Sequence, residues 1–93
     1  MPITFYIPAP LRPHSNGQSK VEINAAVKTA AEALAVLWRE YPGLRDRVVN
    51  EQGEVRQHIN IFVGQENTRD CGGLAAPVGD GVTITIVPAV SGG

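Results

Sequence analysis

Cysteine is nearly missing from this chain. Cys71 stands alone among 93 residues, so an internal disulfide is excluded and a reducing cytoplasm is the compartment it fits. No sign of charge dominates: eight Lys and Arg stand against nine Asp and Glu, for a net charge of −1. Bulk electrostatics therefore give no reason to expect nucleic acid or a membrane surface as partner. The basic residues run from Arg12 to Arg69 without clustering. No apolar run approaches the ~20 residues of a membrane helix. The opening "MPITFYIPAP" has no basic region and is broken by Pro8 and Pro10, so it does not read as a secretion signal. At this length one domain, spanning 1–93, is expected, near the lower limit for a self-sufficient core. No internal repeat is visible.

What is present is turn chemistry and clear periodicity. Ten glycines and seven prolines imply many turns. In "PITFYIPA", Ile3, Phe5 and Ile7 alternate with Thr4 and Tyr6, the period of a strand with one buried face. "LRPHSNGQS" reads as a hairpin connection, and "KVEIN" as the return strand with Val21 and Ile23 inward. The period then changes. "TAAEALAVLWREY" is made of helix formers, with Thr29 and Glu32 at capping-box spacing and Ala30, Ala33, Leu34, Leu37 and Tyr41 on one stripe. Pro42 and Gly43 stop that helix, and Leu44 and Val48 are expected to fold back over its end. "NEQGE" is a turn, and "VRQHINIFVG" is a strand with Ile59, Ile61 and Val63 on one face and His58, Asn60 and Phe62 on the other. "ENTRD" suits a short edge strand, and "CGGLAAPV" a loop with one helical turn at most. In the last strand, "VTITIVP", Ile84 and Ile86 point inward while Thr85 and Val87 point away.

Two strands, a helix and two or three more strands form an α+β chain whose single main helix covers one face of a mixed sheet of four to five strands. That order predicts a β-grasp, the ubiquitin-like fold, with the first and last strands parallel in the middle. The second face of the sheet is then left solvated or used. The end of the chain, "IVPAVSGG", follows the last strand with no linker, and a tail from about residue 88 to 93 is expected to be flexible.

Over nearly its whole length the chain resembles the ThiS/MoaD group of ubiquitin-like sulfur carriers. The matching pieces are "IPAPLRPH", "EYPGLRDRV", "INIFVGQENTR" and "DGVTITIVPAVSGG". Within the group, "LRPHSNGQ" and the length look most like the carriers that supply sulfur to cysteine synthase in the O-phosphoserine route. One departure stands out: Asp80 and Gly81 are followed by Val82 and Thr83, where the group usually has an acidic pair. If those acids dock an activating enzyme, this chain docks differently or has a different partner. Ser91 replaces a commoner alanine, and its small side chain should be tolerated.

The resemblance implies a chemistry for the tail. A carboxylate is a poor electrophile, so the terminal carboxyl of Gly93 would be adenylated by an enzyme related to the ubiquitin E1 group, using ATP. A persulfide or sulfide would then give a thiocarboxylate on Gly93. Gly92 and Gly93 lack Cβ atoms and can thread a narrow channel, Ala89 and Ser91 are slim, Val90 lies between them, and Pro88 stiffens the exit. The chain would act as a cosubstrate, not as an enzyme. The acceptor the resemblance favours is a cysteine synthase-like enzyme carrying pyridoxal phosphate, with a metallopeptidase releasing cysteine afterwards. No cofactor is expected in this chain. Three rivals stand beside that reading: the small subunit of molybdopterin synthase, with its tail in the large subunit; a protein modifier joined to lysines through Gly93; and a plain binding module with an inert tail.

Other residues have an ordinary packing or surface reading beside a functional one. Phe62 and Val87, on the expected outer face, could form a docking patch together with the tail from Val87 through Ser91. Arg12 reads equally as a solvated hairpin arginine or as an ion-pair donor to an acidic partner. His14 and His58 have no Cys, Asp or Glu at metal-ligand spacing, so no metal is expected and both are taken as surface residues. Cys71 has no evident cation or helix start to activate it and is taken as incidental. "DCGG" and "GDG" are not phosphate loops. Trp38, on the flank of the helix stripe, is expected to be half-buried.

Overall fold

The computed structural model describes residues 2–24, 26–70, 72–79 and 81–88. Five strands form one sheet: β1 (Ile3–Tyr6), β2 (Lys20–Ile23), β3 (Ile59–Val63), β4 (Glu66–Asn67) and β5 (Thr83–Pro88), in the order β2-β1-β5-β3-β4. The first and last strands pair in parallel, Thr4 with Thr83, Phe5 with Ile84 and Tyr6 with Thr85. The β1–β2, β3–β5 and β3–β4 pairs are antiparallel. Helix α1 (Ala30–Glu40) packs its stripe on one face of this sheet, and Ala30, Ala33, Leu34 and Leu37 are buried with Phe5, Ile61, Ile84 and Ile86. Trp38 is half-buried against the same core, as its place on the flank of the stripe predicts, whereas Tyr41, at the end of the stripe, is only half-buried.

The start of α1 is set locally. The Thr29 hydroxyl accepts the Glu32 amide at 3.2 Å. Glu32 reaches back to accept the Lys28 amide at 2.8 Å, one residue ahead of the cap itself. One orphan donor of the first turn and the amide just ahead of the cap are thereby satisfied, which is the physical reason for that residue spacing.

Three elements differ from the periodicity. Pro42 does end α1, yet it also opens a second helix, α2 (Pro42–Val48), so among the described residues a second α-helix packs beside the main one. A proline cannot continue a helix but fits the first helical position, where its missing amide is not needed. Tyr41 serves both: its amide donates to Leu37 at 2.9 Å, and its carbonyl accepts from Leu44 at 3.0 Å. Leu44 and Val48 are fully buried over the end of α1, as expected. The connection between β1 and β2 is not a plain loop, since Ala9–Ser15 wind as a 3-10 helix ended by Asn16 in the left-handed region (φ 56°). The strand expected from Val55 onward begins only at Ile59. Val55 bridges to Val49 and the Arg56 amide donates to the Val48 carbonyl, so this stretch pairs with the exit of α2. The last residue of β5 is Pro88, opposite Ile59, so the strand runs one residue into the stretch expected as tail. Pairing with β1 has stopped at Thr85, which leaves β3 alone beside the proline and makes it tolerable there.

Candidate surface at the root of the tail

Because side chains alternate across a strand, the residues of the sheet that do not face α1 form a second surface. The registers place Lys20, Tyr6, Thr85, Phe62 and Asn67 in one row across all five strands. One pair further along β5, Val87 stands opposite Asn60. Tyr6 is 42% exposed and Val87 37%, the two large apolar side chains most open to water among the described residues. Phe62 is half-buried. The Lys20 ammonium lies 5.5 Å from the Tyr6 ring centroid, within reach of the ring's negative face.

The expected faces of β3 and β5 are those observed. Ile84 and Ile86 are buried, Val87 is exposed, and Phe62 shares the outer face with it. Arg12 lies in the 3-10 helix, where its Nε donates to the Ile7 carbonyl at 3.2 Å. With Tyr6, Pro8, Ser19, Thr85 and Val87 it lines a groove of about 420 Å³ beside the end of β5. Neither Arg12 nor Lys20 takes part in an ion pair among the described residues, where Arg45 and Asp46, 3.7 Å apart, form the salt bridge present. Arg12, Val87 and Pro88 thus come together around one groove, while Phe62 lies across Thr85 from it. Ala89, Val90, Ser91, Gly92 and Gly93 lie outside the described residues, as do Cys71 and Asp80.

Sequence reasoning did not single out Tyr6, Lys20, Asn60 or Arg69. The exposure of Tyr6 was visible in the alternation of the first strand. Its pairing with Lys20 required the hairpin register, which a seven-residue helix in the connection conceals. Asn60 and Arg69 belong to a network closed between residues nine apart. Arg69 donates through Nε to Asn60 Oδ1 at 3.1 Å and through one Nη to the Ile59 and Arg56 carbonyls at 2.8 and 3.0 Å. Asn67 donates its Nδ2 to the same Asn60 oxygen at 3.3 Å and accepts the Arg69 amide at 3.1 Å. The network pins the entry of β3, hence the strand against which the last residues of β5 lie.

Val82 is half-buried against the core and Thr83 begins β5, at the end of the strand away from Pro88. These two residues therefore sit at the far end of the sheet from the tail root. His58 is exposed. His14 is half-buried, and its ring lies so close to Gly43 that a Cβ there would stand 3.3 Å from Nδ1, so this histidine packs against the start of α2 and is not a free surface residue. Among the described residues no group of three His, Cys, Asp or Glu could hold a metal. No helix of the described residues is long and apolar enough to cross a membrane.

A mixed sheet in this order, parallel at its centre and covered by helices on one face, defines a ubiquitin-like β-grasp protein. Comparison with known proteins narrows the class. The ThiS family model matches residues 5–93, and the chain belongs to that family. It is 38% identical to the sulfur carrier protein CysO of Mycobacterium tuberculosis over 95 residues, covering 100% of each chain. It is similar to a chain in the crystal structure of the Amycolatopsis orientalis BexX/CysO complex, with a TM-score of 0.87 and 38% identity over 98% of this chain and 99% of that one. SAMP1 from Haloferax volcanii superposes with a TM-score of 0.83 at 26% identity, covering 100% of both.

Proposed function

We propose that this chain is a sulfur carrier protein, a cosubstrate loaded and discharged by partner enzymes. The observation that supports it most is the family match running through Gly92 and Gly93, together with full-length similarity to a sulfur carrier. An adenylating enzyme of the E1-like class transfers AMP from ATP to the Gly93 carboxylate and releases pyrophosphate. Hydrosulfide, delivered by a sulfur donor, attacks the acyl carbon and displaces AMP, leaving a thiocarboxylate. The exposed Val87, the groove beside it and the cations Arg12 and Lys20 then provide a surface on which a partner seats the tail. Phe62 extends that surface.

The acceptor we favour is a cysteine synthase-like enzyme. There the thiocarboxylate sulfur would bond to the β-carbon of an electrophilic amino-acid unit that the acceptor's pyridoxal phosphate would activate, the resulting thioester would pass its acyl group from sulfur to the cysteine nitrogen, and a metallopeptidase would hydrolyse that amide to free cysteine and regenerate the Gly93 carboxyl. The cytoplasm is the compartment in which this cycle runs. ATP and pyridoxal phosphate belong to the partners; this chain contributes the acyl group and the docking surface. Intact-mass analysis after incubation with an adenylating enzyme, ATP and sulfide tests the proposal. The expected product carries sulfur in place of one oxygen at the terminal carboxyl, located by thiocarboxylate-selective alkylation and so separated from oxidation of Met1 or Cys71. A chain that remains unmodified while a known carrier is loaded in parallel overturns the proposal.

A further inference from the structure

The network at the entry of β3 leaves one polar atom of Asn60 without a partner among the described residues. Asn60 Oδ1 accepts from Arg69 Nε and from Asn67 Nδ2. Two donors on one atom determine which end of the amide is oxygen. The Nδ2 group must then project the other way, and no hydrogen bond to it exists within the described residues. No buried side-chain nitrogen or oxygen among the described residues lacks a partner, so this nitrogen, on a half-buried side chain, is not sealed from solvent. Directly across the ladder from Asn60 stands Val87, exposed and one residue before the last of β5.

We propose that Asn60 is a specificity-determining donor at the root of the tail, giving an Nδ2 hydrogen bond to a main-chain carbonyl of the adenylating enzyme when Val87 packs against it. The inference rests on the sulfur-carrier reading above. It concerns activation because every use of the Gly93 carboxyl, as carrier or as modifier, begins there. The donor is neutral and lies beside an apolar side chain. A main-chain carbonyl can enter such a contact at little cost, whereas a carboxylate would have to shed its water beside Val87. The orientation is held before the partner arrives, so little side-chain freedom is lost on docking. Arg69 and Asn67 are positioning residues, acting through the amide they hold.

Asn60→Asp separates this role from a structural one. The substitution keeps the size and the oxygen that Arg69 and Asn67 grip, and it converts the Nδ2 donor into an acceptor carrying charge. The expected outcome is a melting temperature no lower than that of the parent chain. In adenylation assays with the E1-like enzyme encoded by the same genome, followed by pyrophosphate release, KM for the carrier should rise about 10-fold or more at unchanged kcat, because an unmatched acceptor faces the partner's carbonyl. Asn60→Ala removes the donor without adding charge but also the oxygen that Arg69 and Asn67 hold, so it should raise KM less and, should the aspartate variant unfold, is read beside Arg69→Ala, which loosens the same network, keeps the donor and should leave KM within twofold. A KM for the folded Asn60 variants within twofold of the parent overturns the inference while leaving the carrier reading intact. A fall in kcat with KM unchanged also overturns it, since the contact would then not govern docking. No adenylation of the parent chain overturns the carrier reading and this inference together.

Discussion

The two faces of β5 are built from alternate residues of one six-residue strand and have opposite duties. Ile84 and Ile86 are sealed between β1, β3 and α1, whereas Thr85 and Val87 look outward between Tyr6, Phe62 and Asn60. On the inner face, aliphatic side chains are removed from water and supply stability. On the outer face, nothing in the fold requires an exposed valine, and a tyrosine under a lysine adds little to the core. The contrast shows that stability and recognition can be altered separately in a small domain, because a period of two sends neighbouring residues to different environments.

The largest break of that separation is removal of Gly92 and Gly93. Loss of the acyl-bearing end should abolish sulfur loading completely while the melting temperature stays near that of the parent. Thermal unfolding paired with intact mass checks both halves, and a large drop in melting temperature would assign the glycines to the folded body. On the covered side, Leu37→Ala should cost about 2–5 kcal/mol, because Leu37 is fully buried in the middle of the α1 stripe. Denaturant titration measures it, and a loss below about 1 kcal/mol would contradict the packing of α1 on the sheet.

Val87→Asp sharpens the comparison from the other side. The new charge stays in water, so denaturant stability should change by less than about 0.5 kcal/mol, as at ordinary surface sites. Docking on a partner enzyme should weaken strongly, since the carboxylate would have to be desolvated without a counter-ion. Calorimetric titration against the partner alongside a melting curve separates the outcomes, and unchanged affinity would remove this face from the interface. A smaller effect is expected from Thr29→Ala. It deletes the cap that accepts the Glu32 amide and should lose about 1 kcal/mol without touching sulfur loading. Cys71→Ser should be silent in loading, because the acyl group and not a thiol carries the sulfur. A folded serine variant that fails to load would give the thiol a role.

Much of the covered face was legible along the chain. Ile3, Phe5, Ile7, Val21, Ile23, Ile59, Ile61, Ile84 and Ile86 are buried where alternation puts them, and the Thr29 cap is where its spacing puts it. Helix α2 was missed although Leu44 and Val48 were expected over the end of α1, because a Pro-Gly pair marks a helix end and a helix start equally well and two aliphatics four apart suit either a helical turn or a loop folded back. The outer surface was legible in part. Val87 and Phe62 follow from the same alternation that defines the core. Tyr6 and Lys20 become neighbours only through the β1–β2 register, and Arg12 reaches the same groove because the 3-10 helix turns it back toward Ile7.

By itself the sequence determined what depends on near neighbours: which strands have one apolar face, where the first helix begins, which glycines and prolines end elements, and that a Gly-Gly pair follows the last strand. These are matters of period, capping and backbone freedom, settled within a few residues. Element order already implied that β1 and β5 lie parallel at the centre; only the tertiary structure decided the register of that pair, that Val87 faces Asn60, and that Arg69 and Asn67 both hold the Asn60 oxygen. Pairings between residues some 80 apart carry no local signature. A side-chain amide acquires a direction only when two donors from another strand and turn converge on its oxygen.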